Sequence, residues 1–76
     1  MPDPVAWKLI EPGWRVRDAG GNEVGKVAEV QGDIEADIFG GITVKRGLLG
    51  KAEPVSADAI GAIYDGEVVL AGPAPA

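Results

Sequence analysis

The sequence predicts an all-β fold, a small barrel of five to six short antiparallel strands with one short helical turn. Three observations carry that reading. The run Val16-Arg17-Asp18-Ala19-Gly20-Gly21-Asn22-Glu23-Val24-Gly25-Lys26-Val27 supplies a short strand, a glycine turn and a second strand, with apolar residues where a small barrel needs them. Near the other end, Asp65-Gly66 separates Ala62-Ile63-Tyr64 from Glu67-Val68-Val69-Leu70, and a two-residue Asp-Gly between apolar runs is a strong hairpin signal. Packing this many short strands into 76 residues favours closure, which removes exposed edges.

Along the chain, residues 5–10 form a mixed apolar stretch that ends at Glu11-Pro12-Gly13, where the Pro-Gly pair marks a turn. Residues 14–18 alternate, with Trp14 and Val16 on one face and Arg15 and Arg17 on the other, as in a half-buried strand. A second strand over 24–31 breaks alternation, because Val24, Val27 and Val30 recur every third residue. A helix is rejected there: Gly25 sits inside the segment, valine is abundant and no cap follows, so Gly25 marks a bulge or sharp bend. Residues 32–37 read as an acidic loop. Ile38-Phe39 and Ile42-Thr43-Val44 then supply a strand pair, or one strand interrupted at Gly40-Gly41.

Lys45-Arg46-Gly47 is the next predicted turn, and Leu48-Leu49 with the residues after Gly50 leads into a strand ending near Glu53-Pro54-Val55, where proline rules out a fully paired central position. Ser56 before Ala57-Asp58-Ala59-Ile60 resembles a helix cap, but Gly61 allows only one turn, α or 3₁₀. The domain organisation is therefore an N-terminal extension over 1–11, a β domain over 12–70 and, over 71–76, a tail with nothing large to bury.

In their order and spacing, these segments resemble the PRC-barrel family, the β-barrel domain of the photosynthetic reaction-centre H subunit and of the C-terminal part of the ribosome maturation factor, also found as small stand-alone proteins. The residues that carry the resemblance are Val16-Arg17-Asp18, Gly20-Gly21, Val24-Gly25-Lys26-Val27, Ile42-Thr43-Val44, Pro54-Val55-Ser56-Ala57-Asp58-Ala59-Ile60 and Asp65-Gly66-Glu67-Val68-Val69-Leu70. They span roughly residues 12–70. The chain departs from the family pattern over 32–41, which is glycine-rich and acidic where a regular strand is expected. The resemblance implies a non-enzymatic protein-protein interaction or adaptor module, with an accessory role in RNA metabolism or ribosome assembly as the alternative.

Composition narrows the functional classes. A domain of 76 residues buries only about 60% of the surface it exposes when unfolded, so the core is small. There is no cysteine to staple it, which leaves packing or self-association. Twelve acidic against seven basic residues give a net charge of -5, which argues against direct nucleic-acid binding, since that rests on neutralising phosphates. Six of the seven basic residues, Arg15, Arg17, Lys26, Lys45, Arg46 and Lys51, fall between 15 and 51, with Asp33, Glu35 and Asp37 as an acidic knot among them. They form either a solvated mixed surface or the polar rim of a partner-binding patch. No apolar run approaches the roughly 18 residues of a spanning helix and the first residues have no leader pattern, so a cytoplasmic location is expected.

Candidate chemistry is thin. Gly20-Gly21-Asn22-Glu23-Val24-Gly25-Lys26 matches the start of a phosphate-binding loop, but Val27 replaces the magnesium-binding Ser or Thr and the following segment is β-like where a helix is required. Asp33, Glu35 and Asp37 alternate like the first calcium ligands of an EF-hand loop, yet Ile38 stands where the glycine belongs and Val44 where the glutamate belongs. With no His and no Cys, transition-metal sites lack their usual ligands, and Ser56 has no histidine to activate it. No enzyme activity, cofactor or metal is expected. The interface candidates are Trp7, Ile10, Leu48 and Leu49, with Trp7 and Ile10 either capping one end of the barrel or facing a partner. That partner is a protein of unknown identity or, in a homodimer formed through an edge strand or the Trp7 segment, a second copy.

Overall fold

A computed structural model of the chain describes residues 5–46 and 50–72. The fold is all-β, as expected. Six strands, β1 (Arg15–Arg17), β2 (Glu23–Asp33), β3 (Ile38–Lys45), β4 (Ala52–Ser56), β5 (Ile60–Tyr64) and β6 (Glu67–Leu70), form one sheet in the order β4-β3-β2-β1-β6-β5. Three expectations need correction. The sheet is mixed, because β1 and β6 run parallel, and it is not closed into a barrel by hydrogen bonds between its edge strands. There are also two 3₁₀ turns, Trp7–Leu9 and Ala57–Ala59, where one helical turn was expected.

The connectivity explains why the sheet nonetheless curls. A flat six-stranded sheet would hold β4 and β5 about 24 Å apart. The three residues that join them reach at most about 14 Å even when extended. The edges must therefore approach, and the covalent chain crosses the seam that hydrogen bonds leave open. In the sheet, β4 and β5 run in the same sense, so the 3₁₀ turn carries the chain across without reversing it. Pro54 fits an edge strand, having no N–H to donate to a further neighbour. On the other side of the seam, the Val5 N–H donates to the Ile63 carbonyl at 2.8 Å. The Ser56 hydroxyl makes no cap bond, contrary to expectation; the turn holds through the Ile60 N–H donating to the Ala57 carbonyl.

One face of the curled sheet encloses the core of Ile10, Val16, Val27, Ile42, Val44, Val55, Val68 and Leu70. Valine dominates because a branched side chain fits a tightly pleated surface. Trp14 packs on this core, as its alternation with Val16 predicts. The register slips between Val16 and Arg17 and again between Val27 and Glu29, so β2 stays a single strand despite its three-residue valine spacing. Gly25 is obligatory in this stretch, since a Cβ there would run into the Lys45 carbonyl oxygen. The Asp65-Gly66 hairpin forms as expected, with Gly66 at φ 84°. Beyond β6, the Ala71 N–H donates to Ala59 at 2.8 Å and Gly72 accepts from Ala19 at 3.1 Å, which ties the first two residues of the expected tail to the domain.

Asp18 closes β1 over the glycine turn. Its Oδ1 accepts the backbone N–H groups of Gly20 and Asn22, each at 2.9 Å, and Asn22 Nδ2 donates to its Oδ2 at 3.3 Å. The Asn22 backbone N–H, above the other contributions, holds the carboxyl below its ordinary value. Because the folded state favours the charged form, this stabilisation is complete above the unfolded carboxylate range and fades as pH falls through the lowered folded value. Asp18→Asn is expected to lower the thermal midpoint at neutral pH, with the gap to the wild type narrowing as pH drops below about 4. Thermal melts of both proteins across that range check it.

Candidate functional site

The distinctive feature of the fold is a two-stranded arm. β2 pairs with β1 only through residues 23–26, with one further exchange in which Val27 accepts from Gly13 and donates to Trp14. β4 covers β3 only over 41–45. From Ala28 onward β2 has β3 as its one neighbour, and residues 32–40 pair with nothing but each other, as the end of a long hairpin that leaves the body of the sheet. The expected acidic loop over 32–37 shrinks to a turn over 34–37. Its register is Gln31 opposite Gly41, Gly32 opposite Phe39 and Asp33 opposite Ile38, with Gly40 bulged out.

A free two-stranded hairpin is marginal in water, and here the N-terminal segment supports it. The Trp7 ring stacks on Phe39 with centroids 5.1 Å apart and planes inclined by 16°. Its Nε1–H donates to Asp37 Oδ1 at 3.1 Å, and Lys8 Nζ lies 3.4 Å from the same oxygen. Asp37 adopts a left-handed φ of 55°, a conformation that aspartate tolerates better than most residues. Gly32 makes the stack possible, because a Cβ at that position would crowd the Trp7 ring at 3.1 Å and collide with the Ile38 carbonyl. At the tip, Asp33 Oδ1 accepts the N–H groups of Glu35 at 3.0 Å and Ala36 at 3.2 Å. Two of the three acids of the knot thus have structural work: Asp33 caps the turn and Asp37 anchors Trp7.

This end of the molecule carries the exposed large hydrophobic side chains found among the described residues. Ile34 is 64% exposed, Ile38 61% and Leu9, two residues beyond Trp7 on the same 3₁₀ turn, 57%. Ile10, a sequence-based interface candidate, is only 6% exposed and belongs to the core, so it cannot meet a partner. Trp7 is half-buried and supports the arm. Leu48 and Leu49 lie outside the described residues. No family model matches the chain, and no curated protein matches it either.

Among the open recesses that the described residues form, two lie clear of the arm. One, of about 540 Å³ on the β4 side of the seam, is lined by Pro54, Val55, Ser56, Ala59, Leu70, Ala71 and Gly72 and holds no titratable side chain. The other, of about 310 Å³, lies beside Arg15, Lys26, Asp65 and Glu67. Among the described residues no group of three or more acids comes together as a metal cage, and no helix is long and apolar enough to cross a membrane. Sequence reasoning missed Leu9, Ile34 and Ile38. A signal was present in Asp33-Ile34-Glu35-Ala36-Asp37-Ile38, where two large apolar residues alternate with acids in a stretch read as a solvated loop.

Proposed function

We propose that the chain is a non-enzymatic interaction module of the PRC-barrel type that docks another polypeptide on the end of its arm. The observation that carries this reading is the exposure of Ile34 and Ile38 on the projecting end of the arm, with Leu9 exposed on the 3₁₀ turn that supports it, while the other large apolar side chains among the described residues are buried or half-buried. Scattered exposed hydrophobics need no explanation, but several on one projecting element mark an interaction surface. The family assignment is supported by the order of elements: a first strand closed by Asp18, a glycine turn, a strand through Gly25-Lys26-Val27, the Pro54 segment leading into a 3₁₀ turn, and a final hairpin.

The test is capture from native lysate of the source cell, with and without nuclease, using wild type and an Ile34→Ser/Ile38→Ser double variant. Both side chains are exposed, so the variant should fold with a stability within about 0.5 kcal/mol of wild type. The expected result is a protein held by wild type at near-stoichiometric yield, resistant to nuclease and lost from the variant. Equal retention by both baits would overturn the assignment of the arm, and loss of everything on nuclease treatment would move the reading to the RNA-linked alternative.

A further inference from the structure

The outer face of the central strands is divided by charge. Arg15, Lys26 and Lys45 stand directly opposite one another across β1, β2 and β3, with neighbours in the row about 5 Å apart. All three are exposed, and the ion pairs among the described residues engage other cations: Lys8, Arg17 and Arg46. On the β6 side the row meets Glu67, which is held by Arg17 at 2.9 Å; on the β4 side it meets Ala52. Like charges directly opposite each other destabilise a sheet, and this row sits in a chain of net charge -5. Farther along the same face the sign reverses. Glu29 stands opposite Thr43 and accepts from Gln31 at 3.2 Å, Asp33 stands opposite Ile38, and Glu35 follows on the turn. Lys26 and Asp33 lie roughly 20 Å apart along the strand.

A face that is basic on the body, and acidic with two exposed isoleucines on the arm, complements itself when turned end for end. We propose that its occupant is a second copy of this chain, docked about a two-fold axis with the outer faces of β2 and β3 together. Each arm then places Asp33 and Glu35 over the partner's row of Arg15, Lys26 and Lys45, with Glu29 close to the two-fold axis. Ile34 and Ile38 leave water against the aliphatic stems of the lysines. One two-fold operation makes both contacts at once, and the assembly closes at the dimer. A stable dimer needs about 800 Å² from each copy, a sixth of the 4934 Å² surface. This inference rests on the arm being a docking element and names what it docks.

Salt alone is a poor test, because it screens the repulsion between two acidic molecules along with the local attraction. Charge exchange is sharper. Lys26→Glu/Lys45→Glu reverses two of the three charges in the row, and Glu29→Lys/Glu35→Lys reverses two of the acids that face it while sparing Asp33, which caps the turn. Sedimentation equilibrium on wild type, each variant and their equimolar mixture is the experiment, with circular dichroism to establish folding. Wild type should dimerise, each variant alone should bind itself at least about tenfold more weakly, and the mixture should form a one-to-one heterodimer. A wild type that stays monomeric into the millimolar range, variants that dimerise like wild type, or a mixture that does not associate would each overturn the proposal. A monomeric wild type that still captures a protein through Ile34 and Ile38 would remove the self-docking and leave the interaction-module reading intact. Capture of a polyanion abolished by Lys26→Glu/Lys45→Glu, with no dimer, would likewise overturn it.

Discussion

Gly41→Ala is expected to lower the thermal midpoint by about 12–24 °C, a loss of about 3 kcal/mol at the usual conversion for a domain of this size. Gly41 has a φ of 132°, a backbone region that only glycine occupies without strain, and a Cβ there would point into the Val55 carbonyl oxygen and crowd the Ala57 nitrogen at 3.1 Å. Those atoms belong to β4 and to the 3₁₀ turn that crosses the seam, so neither can yield without opening the curl. A domain of this length has a net stability of about 4–11 kcal/mol, and the substitution removes a large part of it. Gly40→Ala is the matched control. Its added methyl meets only the Gln31 strand, with the carbonyl oxygen at 3.3 Å, and its backbone needs no left-handed angle. The control should move the midpoint far less. Equal shifts in the two variants would mean that the close approach of β3 to the seam is not what constrains this position.

Trp7→Ala is the second large effect, with an expected loss of about 2–3 kcal/mol from the stacked pair, the indole hydrogen bond and the half-buried ring surface. The consequence should be local as well as global. With Trp7 gone, Phe39 loses its ring partner and Asp37 its indole donor, so the arm reverts toward a free hairpin. Hydrogen exchange should rise over 32–40 more than in the body strands, and a thermal melt should show the midpoint falling by about 10–20 °C. Trp7→Phe, which keeps a ring but loses the donor, should fall between the two. Unchanged exchange over the arm in Trp7→Ala would show that the hairpin holds itself up and that Trp7 is free for another role.

Functional legibility followed the range of the interactions involved. The Asp65-Gly66 hairpin, the alternation that buries Val16 and Trp14, and the single 3₁₀ turn after Ser56 were all readable, because each depends on neighbouring residues. Gly25 was readable as an irregularity in a strand for the same reason. Trp7 remained ambiguous between core and interface because its contacts, Phe39 and Asp37, come from thirty residues away. Ile10 is open in sequence between capping one end of the barrel and facing a partner, because nothing nearby says that the segment before Pro12-Gly13 returns to the core, where the fold places it. In sequence, residues 32–37 resemble an acidic loop and Gly40-Gly41 a break in a strand, whereas in the fold Gly32, Gly40 and Gly41 allow close backbone approach within paired strands.

Local chemistry was sufficient to establish an all-β domain and most of its turns. It could not say that β6 would pair in parallel with β1, that the sheet would curl without closing, or that Arg15, Lys26 and Lys45 would fall into one row. Those features depend on which edges meet and in which register, and register joins residues far apart in the chain through backbone groups that are alike at almost every position. Side-chain alternation specifies the face a residue takes; only the assembled sheet specifies its neighbour across the strand.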